Sequence, residues 1–209
     1  MIKNIIFDID RTLIDSFSIE QVTLKQALYE FTNKYYPDEI MHQAITLPTR
    51  EFFKLVNIEP DSDIHCKLLH RWGELLEEHP IPFFDNIKEI LHKLHENGYK
   101  LYLITSRTKE EYHELDEIMQ DIYPLFSDLI TSDMVVNHKP YPDSFNYLVD
   151  KYNLKKEESI YIGDAKSDML FAKNANIKFA HAKWDSNENL DADFILEKPN
   201  DLLTIFLAK

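Results

Sequence analysis

Three short apolar runs in this chain are each followed, within two residues, by a polar residue that could take part in catalysis. Ile5-Ile6-Phe7 precedes Asp8, the run 101–104 precedes Thr105, and the run 160–162 precedes Gly163 and Asp164. Short apolar runs of this kind are typical of buried strands in a parallel sheet. Because ligands of open α/β sheets bind beyond the carboxyl ends of the strands, these polar residues are predicted to share one crevice.

The first run ends in two carboxylates, Asp8 and Asp10. Side chains on a strand alternate with period two, so both should leave the strand toward the same side, within about 7 Å of each other. Such a pair can hold a hard divalent cation, or its pKa values can split so that one group is a nucleophile and the other a proton carrier. Both uses suit phosphate chemistry. An ordinary turn with a helix cap is the alternative for these residues alone.

Three more residues extend the pattern. Ser106 follows Thr105, Lys139 precedes a proline, and Asp168 lies four residues after Asp164, on the first turn of a predicted helix. Their order and their positions at strand ends together favour a phosphoryl-transfer site.

These motifs resemble those of the haloacid dehalogenase superfamily of phosphatases: D-x-D-x-T, a strand-end Ser or Thr, a Lys, and G-D-x-x-x-D. Residues 12–16, 99–106, 139–145, 172–176 and 193–195 are similar to the phosphoglycolate-phosphatase-like branch. The resemblance covers nearly the whole chain and is weakest over 16–80.

The resemblance implies a role for each catalytic candidate. Asp8 would attack phosphorus and form a phosphoaspartyl intermediate, and Asp10 would act as general acid and then as general base. Thr105 would hold the transferring phosphoryl oxygens. Lys139 would neutralise charge on Asp8 and on the phosphoryl group.

The resemblance also implies Mg²⁺ as the cofactor. Its ligands would be Asp8, the carbonyl of Asp10 and Asp164, with Asp168 anchoring the metal's shell, while Thr12 supports the loop. The four aspartates bring a charge of −4 and Lys139 brings +1, so the pocket without metal stands near −3. A phosphate dianion would be repelled, and Mg²⁺ would bring the pocket to about −1.

Four residues are candidates for completing neutrality or binding the substrate. Arg11 and Arg107 flank two motifs and could balance the charge, and Arg11 stands where the branch usually has glycine, near the expected leaving group. Ser106 is a further substrate-binding candidate. Arg50 would suit a substrate with a second anionic group. For the arginines, an ordinary solvent-exposed position is the alternative.

Two other positions, Asn176 and Asp185, also stand where glycine is common in the branch. Asn and Asp tolerate left-handed backbone angles, so both turns can form.

The distance between the first two clear strands predicts an inserted domain. A βαβ crossover needs only a dozen or more residues, yet the first strand ends at Asp8 and the next clear one begins near Lys100. We predict a helical cap domain over 16–80 and a catalytic core made of 1–15 and 81–209. Apolar residues at helical spacing in the cap are expected to form its core: Leu24, Leu28, Phe31, Tyr35, Ile64, Leu68, Trp72 and either Leu75 or Leu76.

The remaining pattern predicts the fold class. Strands near 128–131, 159–162, 177–181 and 194–196 alternate with helical segments, among them a capping box that opens a helix from Thr108 through Met119. The prediction is a three-layer, Rossmann-like α/β core with a mostly parallel sheet.

Composition restricts the function classes. A net charge of −14 argues against nucleic acid and acidic membrane partners, and three glycines cannot build a G-x-G-x-x-G turn or a P-loop. The single cysteine, Cys66, permits a reducing compartment, and the apolar runs are too short for a membrane span or a signal peptide. We therefore expect a cytoplasmic protein. The resemblance implies a small phosphorylated metabolite as its substrate, and we expect a monomer or a homodimer.

The leading hypothesis is a Mg²⁺-dependent phosphomonoesterase for a sugar phosphate, phosphoglycolate or a nucleotide monophosphate. A phosphomutase using the same aspartyl chemistry is the second, although Thr12 stands where mutases of this branch often carry an aliphatic residue. The third is a binding protein of the same fold without turnover.

Overall fold

The chain divides into two compact units. A computed structural model describes residues 1–41, 43–47 and 49–207. The core unit comprises Met1–Asp15 and Pro82–Lys209, and the insert unit comprises Ser16–Ile81.

A six-stranded sheet forms the centre of the core unit. Its strands are β1 (Asn4–Phe7), β2 (Lys100–Ile104), β3 (Phe126–Ile130), β4 (Ser159–Gly163), β5 (Lys178–Ala182) and β6 (Phe194–Leu196). Their order is β3-β2-β1-β4-β5-β6, and every neighbouring pair is parallel. The predicted Rossmann-like α/β class with a mostly parallel sheet is confirmed.

Helices occupy the connections between these strands. The insert unit contains α1 (Ser16–Thr32), α2 (Asp38–Met41), α3 (Gln43–Thr46), α4 (Thr49–Leu55) and α5 (Asp63–Glu78). The core unit contains α6 (Ile87–Glu96), α7 (Lys109–His113), α8 (Asp116–Met119), α9 (Asp143–Tyr152), α10 (Lys166–Ala175) and α11 (Asp201–Leu207). Among the described residues, these helices include none that is long and apolar enough to cross a membrane.

Apolar burial on the sheet explains why the strands form. Ile6 and Tyr161 belong to one cluster with Phe145 of α9 and Phe171 of α10. Ile5, which points to the other face, is also fully buried. Burial on both faces is the reason that these strands are continuous apolar runs.

Local sequence signals account for several element ends. Gly98, with a left-handed φ of 88°, follows α6, as its position before β2 predicts. The predicted capping box is present, because Thr108 accepts from the amide of Glu111 and the side chain of Glu111 accepts from the amide of Thr108. The helix predicted from there through Met119 is instead divided into α7 and α8.

The insert unit has its own apolar core, and the predicted stripes supply only part of it. Leu24, Leu28 and Leu68 are buried in a cluster with Phe52 and Phe53 of α4. These residues join α1, α4 and α5 into one packed unit.

Three stripe residues predicted to be core are exposed, and for them the prediction is wrong. Phe31 is 36% exposed, Ile64 50% and Tyr35 83%. For Tyr35 the reason is that α1 ends at Thr32, where Asn33 adopts a left-handed φ of 52°, so the helical periodicity does not continue.

Gly163, at the end of β4, makes room for Asp168 on the first turn of α10. A Cβ at position 163 would lie 2.5 Å from Cγ of Asp168 and 2.6 Å from its Oδ2, closer than unbonded atoms approach. The glycine of the G-D-x-x-x-D motif is therefore required by packing.

We predict that Gly163→Ala displaces the Asp168 side chain and lowers the free energy of unfolding by about 1–3 kcal/mol. Chemical denaturation measures this change. Gly73→Ala in α5 is the matched control, because nothing lies within 4 Å of its added Cβ. A Gly163→Ala protein that unfolds at the wild-type denaturant midpoint would contradict this account of the glycine.

Candidate active site

The carboxyl ends of three adjacent strands deliver the predicted motif residues. Asp8 follows β1, Thr105 follows β2 and Asp164 follows β4, and β1 lies between the other two strands. The parallel arrangement therefore brings residues that are far apart in sequence to one edge of the sheet.

Lys139 connects two of the motif aspartates. Its Nζ lies 2.6 Å from Oδ1 of Asp8 and 2.8 Å from Oδ1 of Asp168, and the Lys139 side chain is only 4% exposed. The third neighbour of Nζ is the hydroxyl of Tyr161, at 3.1 Å. An ammonium group has three N–H donors, so these contacts provide one acceptor for each.

Three buried carboxylates form a group that could hold a metal ion. Asp8, Asp164 and Asp168 each offer an oxygen, and these oxygens all lie within 4.8 Å of one another. Both oxygens of Asp168 already accept hydrogen bonds, Oδ1 from Lys139 and Oδ2 from the amide of Ala165 at 3.1 Å. Clustered carboxylate oxygens are the donor set that Mg²⁺ prefers.

The electrostatics of this group also fit a cation. Burial, together with the neighbouring carboxylates, raises the pKa of Asp8 well above its ordinary value, against the opposing effect of Lys139. Burial and Asp168 raise the pKa of Asp164 to about 7. Burial alone would lower the pKa of Lys139, but Asp168 and Asp8 outweigh it and raise that pKa. The group thus carries more negative charge than its lysine balances, and a divalent cation would relieve this excess.

Asp10 is oriented by a different cation. Its two carboxylate oxygens accept hydrogen bonds from Nε of Arg107 at 2.8 Å and Nη2 at 2.7 Å, and the Asp10 side chain is 32% exposed. Such a bidentate pair fixes the carboxylate geometrically. The predicted metal contact of Asp10 concerns its main-chain carbonyl and stays a prediction.

The hydroxyl residues of the motifs lie in different environments. Thr105 is buried and its Oγ1 accepts from the amide of Arg107 at 3.1 Å, whereas Ser106 is exposed. Thr12 is buried as well. Its amide donates to the carbonyl of Ile9 at 3.3 Å, but within the described part of the chain its hydroxyl has no hydrogen-bond partner. The hydrogen bond that Thr12 makes within the loop is therefore a main-chain one, and its role as a support for the loop stays a prediction.

Arg11 adopts a left-handed φ of 57°, where the family pattern has glycine. Its Nη1 lies 3.3 Å from Oδ2 of Asp164, and its Nε donates to Oδ2 of Asp185 at 3.0 Å. Asn176 is also left-handed, with φ 57°, but Asp185 is not. The predicted contact of Arg11 with a substrate stays a prediction.

Arg50 lies in the insert unit, on the first turn of α4. It is exposed and forms an ion pair with Asp61. Its predicted contact with a substrate is not tested by this pair and stays a prediction.

Tyr161 is the residue of this site that sequence reasoning missed. Besides Lys139, its hydroxyl lies 3.3 Å from Oδ1 of Asp168 and 3.3 Å from the carbonyl of Ile104. Its ring is fully buried and packs on Phe171. The available signal was a tyrosine, whose hydroxyl needs a hydrogen-bond partner when buried, between two isoleucines and two residues before Gly163.

Known proteins match this chain along nearly its full length. The family model for haloacid dehalogenase-like hydrolases matches residues 5–182. A phosphoglycolate phosphatase of Vibrio cholerae is 28% identical, covering 99% of this chain and 98% of that protein. The pyrophosphatase PpaX of Anoxybacillus flavithermus is 25% identical, covering 98% and 96%.

A solved structure has the same fold. It is that of YfnB from Bacillus subtilis, a HAD-type hydrolase bound to magnesium. The TM-score is 0.78 at 18% identity, covering 99% of each chain.

The raised pKa of Asp164 predicts how stability depends on pH. This pKa is about 7 in the folded protein and about 3.9 in the unfolded chain. Between these pH values the folded state therefore binds more protons than the unfolded state. The free energy of unfolding falls as pH rises through that range. In chelator-treated protein, the free energy of unfolding of wild type should therefore fall relative to Asp164→Asn between about pH 5 and 8. Denaturation at several pH values measures the difference, and a difference that does not change with pH would contradict the assignment.

Proposed function

Because the chain belongs to the haloacid dehalogenase-like hydrolase family, we propose that it is a Mg²⁺-dependent phosphatase. Its substrate is the phosphate monoester of a small metabolite, and the intermediate is a phosphoaspartate on Asp8. The observation that carries this proposal is the contact of 2.6 Å between Nζ of Lys139 and Oδ1 of Asp8, beside the buried carboxylates of Asp164 and Asp168. A lysine at this position offsets the negative charge that would otherwise keep phosphate away.

The residues that would hold the metal come from two strand ends. Asp8 and Asp164 provide carboxylates and Asp10 its carbonyl, while Asp168, whose oxygens are held by Lys139 and Ala165, anchors the shell. When bound, the ion draws charge from the phosphoryl oxygens, which is the dominant catalytic need in phosphoryl transfer.

Asp8 and Asp10 divide the covalent work. An oxygen of Asp8 forms a bond to phosphorus while the bond from phosphorus to the leaving oxygen breaks, and Asp10 gives that oxygen a proton. Water then attacks the phosphorus of the phosphoaspartate while Asp10 takes a proton from the water, the bond from phosphorus to the Asp8 oxygen breaks, and phosphate leaves. Arg107, through two hydrogen bonds, keeps the Asp10 carboxylate oriented for the second step, in which Asp10 is the base.

The core unit would supply the contacts to the phosphoryl group. Thr105 and Ser106, at the end of β2, would hold phosphoryl oxygens together with backbone N–H groups, and Arg11 would face the leaving group. The insert unit would act as the cap that selects the substrate, with Arg50 as its candidate cation.

The names of the relatives narrow the substrate class. The Vibrio protein is named for phosphoglycolate and the Anoxybacillus protein for pyrophosphate. Both compounds are small and carry an anionic group besides the transferred phosphoryl. We therefore propose a small phosphate monoester that carries a second anionic group, with pyrophosphate as the alternative.

We expect phosphate release from such substrates only when Mg²⁺ is present. Asp8→Asn should lower turnover by about a thousandfold or more, because the nucleophile is lost. Asp10→Asn should lower it by about 10²- to 10⁴-fold. A phosphate-release assay over a panel of phosphate esters and pyrophosphate, with and without chelator, measures these effects.

The matched control is Asp128→Asn. Asp128 is an aspartate of β3 that forms an ion pair with Lys151 at 2.9 Å, but it lies outside the site. It should hydrolyse the panel at the wild-type rate. Wild-type hydrolysis by Asp8→Asn would refute the proposed nucleophile, and hydrolysis that is unchanged by chelator would refute the metal requirement.

Tyr161→Phe should lower kcat about tenfold and leave KM within about twofold, because the hydroxyl positions the Lys139 ammonium without touching the substrate. Steady-state kinetics measures the two constants separately. Tyr102→Phe is the control, since Tyr102 is a buried tyrosine of β2 in the same sheet. Equal kcat values for both variants, at similar thermal stability, would reduce Tyr161 to a packing residue.

A further inference from the structure

The positively charged guanidinium of Arg11 contacts Asp164, a predicted metal ligand. Its Nη1 lies 3.3 Å from Oδ2 of Asp164, whose side chain is only 6% exposed. A divalent ion bound to the same carboxylate would lie well inside the screening distance of about 8 Å from this guanidinium. The two cations would therefore repel each other.

Asp185 holds the guanidinium in this position. Nε of Arg11 donates to Oδ2 of Asp185 at 3.0 Å, and Nη2 donates to the main-chain carbonyl of the same residue. Asp185 belongs to the short helix Lys183–Asp185 that follows β5. Because a guanidinium presents its donors in a fixed fork, contacts through Nε and Nη2 determine where Nη1 points.

We propose that Arg11, held by Asp185, sets the affinity of the site for its divalent metal by competing with the ion for Asp164. A group that donates a hydrogen bond to a metal ligand normally orients that ligand and strengthens metal binding. Arg11 differs because it carries a full charge, and its Coulomb repulsion with a doubly charged ion a few ångströms away outweighs the gain from orientation. Arg11 is thus a positioning residue that weakens metal binding. This inference rests on the proposed function for the identity of the site.

Calorimetric titration of metal-free protein with MgCl₂ tests the inference without any substrate. Arg11→Gln should bind Mg²⁺ about tenfold more tightly than wild type. Lys183→Gln is the control, because it removes the same charge from the neighbouring helix, where Lys183 pairs with Glu197 at 3.3 Å. Its affinity should stay within about twofold of wild type. Mg²⁺ binding by Arg11→Gln that is equal to or weaker than wild type would overturn the inference.

A double-mutant cycle separates the role of Asp185 from a general charge effect. Asp185→Asn should weaken Mg²⁺ binding about threefold to fivefold in the wild-type background, because Arg11 then pairs more fully with Asp164. In the Arg11→Gln background the same substitution should change affinity by less than about twofold. Equal shifts in both backgrounds would show that Asp185 does not act through Arg11, and would overturn the inference that Asp185 holds Arg11 in position.

The outcome is independent of turnover. Predicted shifts in Mg²⁺ affinity in a protein that hydrolyses no phosphate ester would support the inference and refute the proposed function. Mg²⁺-dependent hydrolysis by the wild type, together with an unchanged Mg²⁺ affinity in Arg11→Gln, would support the proposed function and overturn the inference.

Discussion

The buried ammonium of Lys139 is the interaction on which the site depends. Transferring a charged group out of water costs several kcal/mol unless it is paired and hydrogen-bonded. Lys139 meets this condition through Asp8, Asp168 and Tyr161, at distances of 2.6, 2.8 and 3.1 Å. These contacts join the end of β1, the middle of β4 and the first turn of α10. Gly163 serves the same arrangement, since its lack of a side chain lets Asp168 reach the ammonium.

The two arginines change the charge balance that one lysine alone implies. Four aspartates and Lys139 leave the pocket near −3. Arg107 on Asp10 and Arg11 on Asp164 add two positive charges, and Asp185, which also pairs with Arg11, adds a negative one, so that the paired groups together stand near −2. A divalent metal would then make the pocket about neutral, which suits a phosphate dianion better than the −1 expected from the lysine alone. The metal in this account both attracts the substrate and stabilises its transition state.

Sequence reasoning succeeded where a feature depends on periodicity and on strand ends. The buried runs predicted β1, β2 and β4, and the alternation of strands with helical segments predicted the parallel sheet. It failed where a contact joins residues that are far apart in sequence. The pairing of Arg11 with Asp185 spans 174 positions. The contact of Tyr161 with Lys139 also has no signal in the strand pattern, in which Tyr161 is an ordinary buried residue. Tyr35 was assigned to a core because spacing alone does not reveal where a helix ends.

The proposed mechanism requires that Asp8 accept a phosphoryl group beside a magnesium ion shared with Asp164. A crystal structure with Mg²⁺ and beryllium trifluoride, a mimic of the transferred group, would show which side chain accepts it. We expect beryllium bonded to a carboxylate oxygen of Asp8, with Lys139 beside it and the metal in contact with Asp8 and Asp164. Beryllium on Asp10, or magnesium bound away from Asp164, would contradict it.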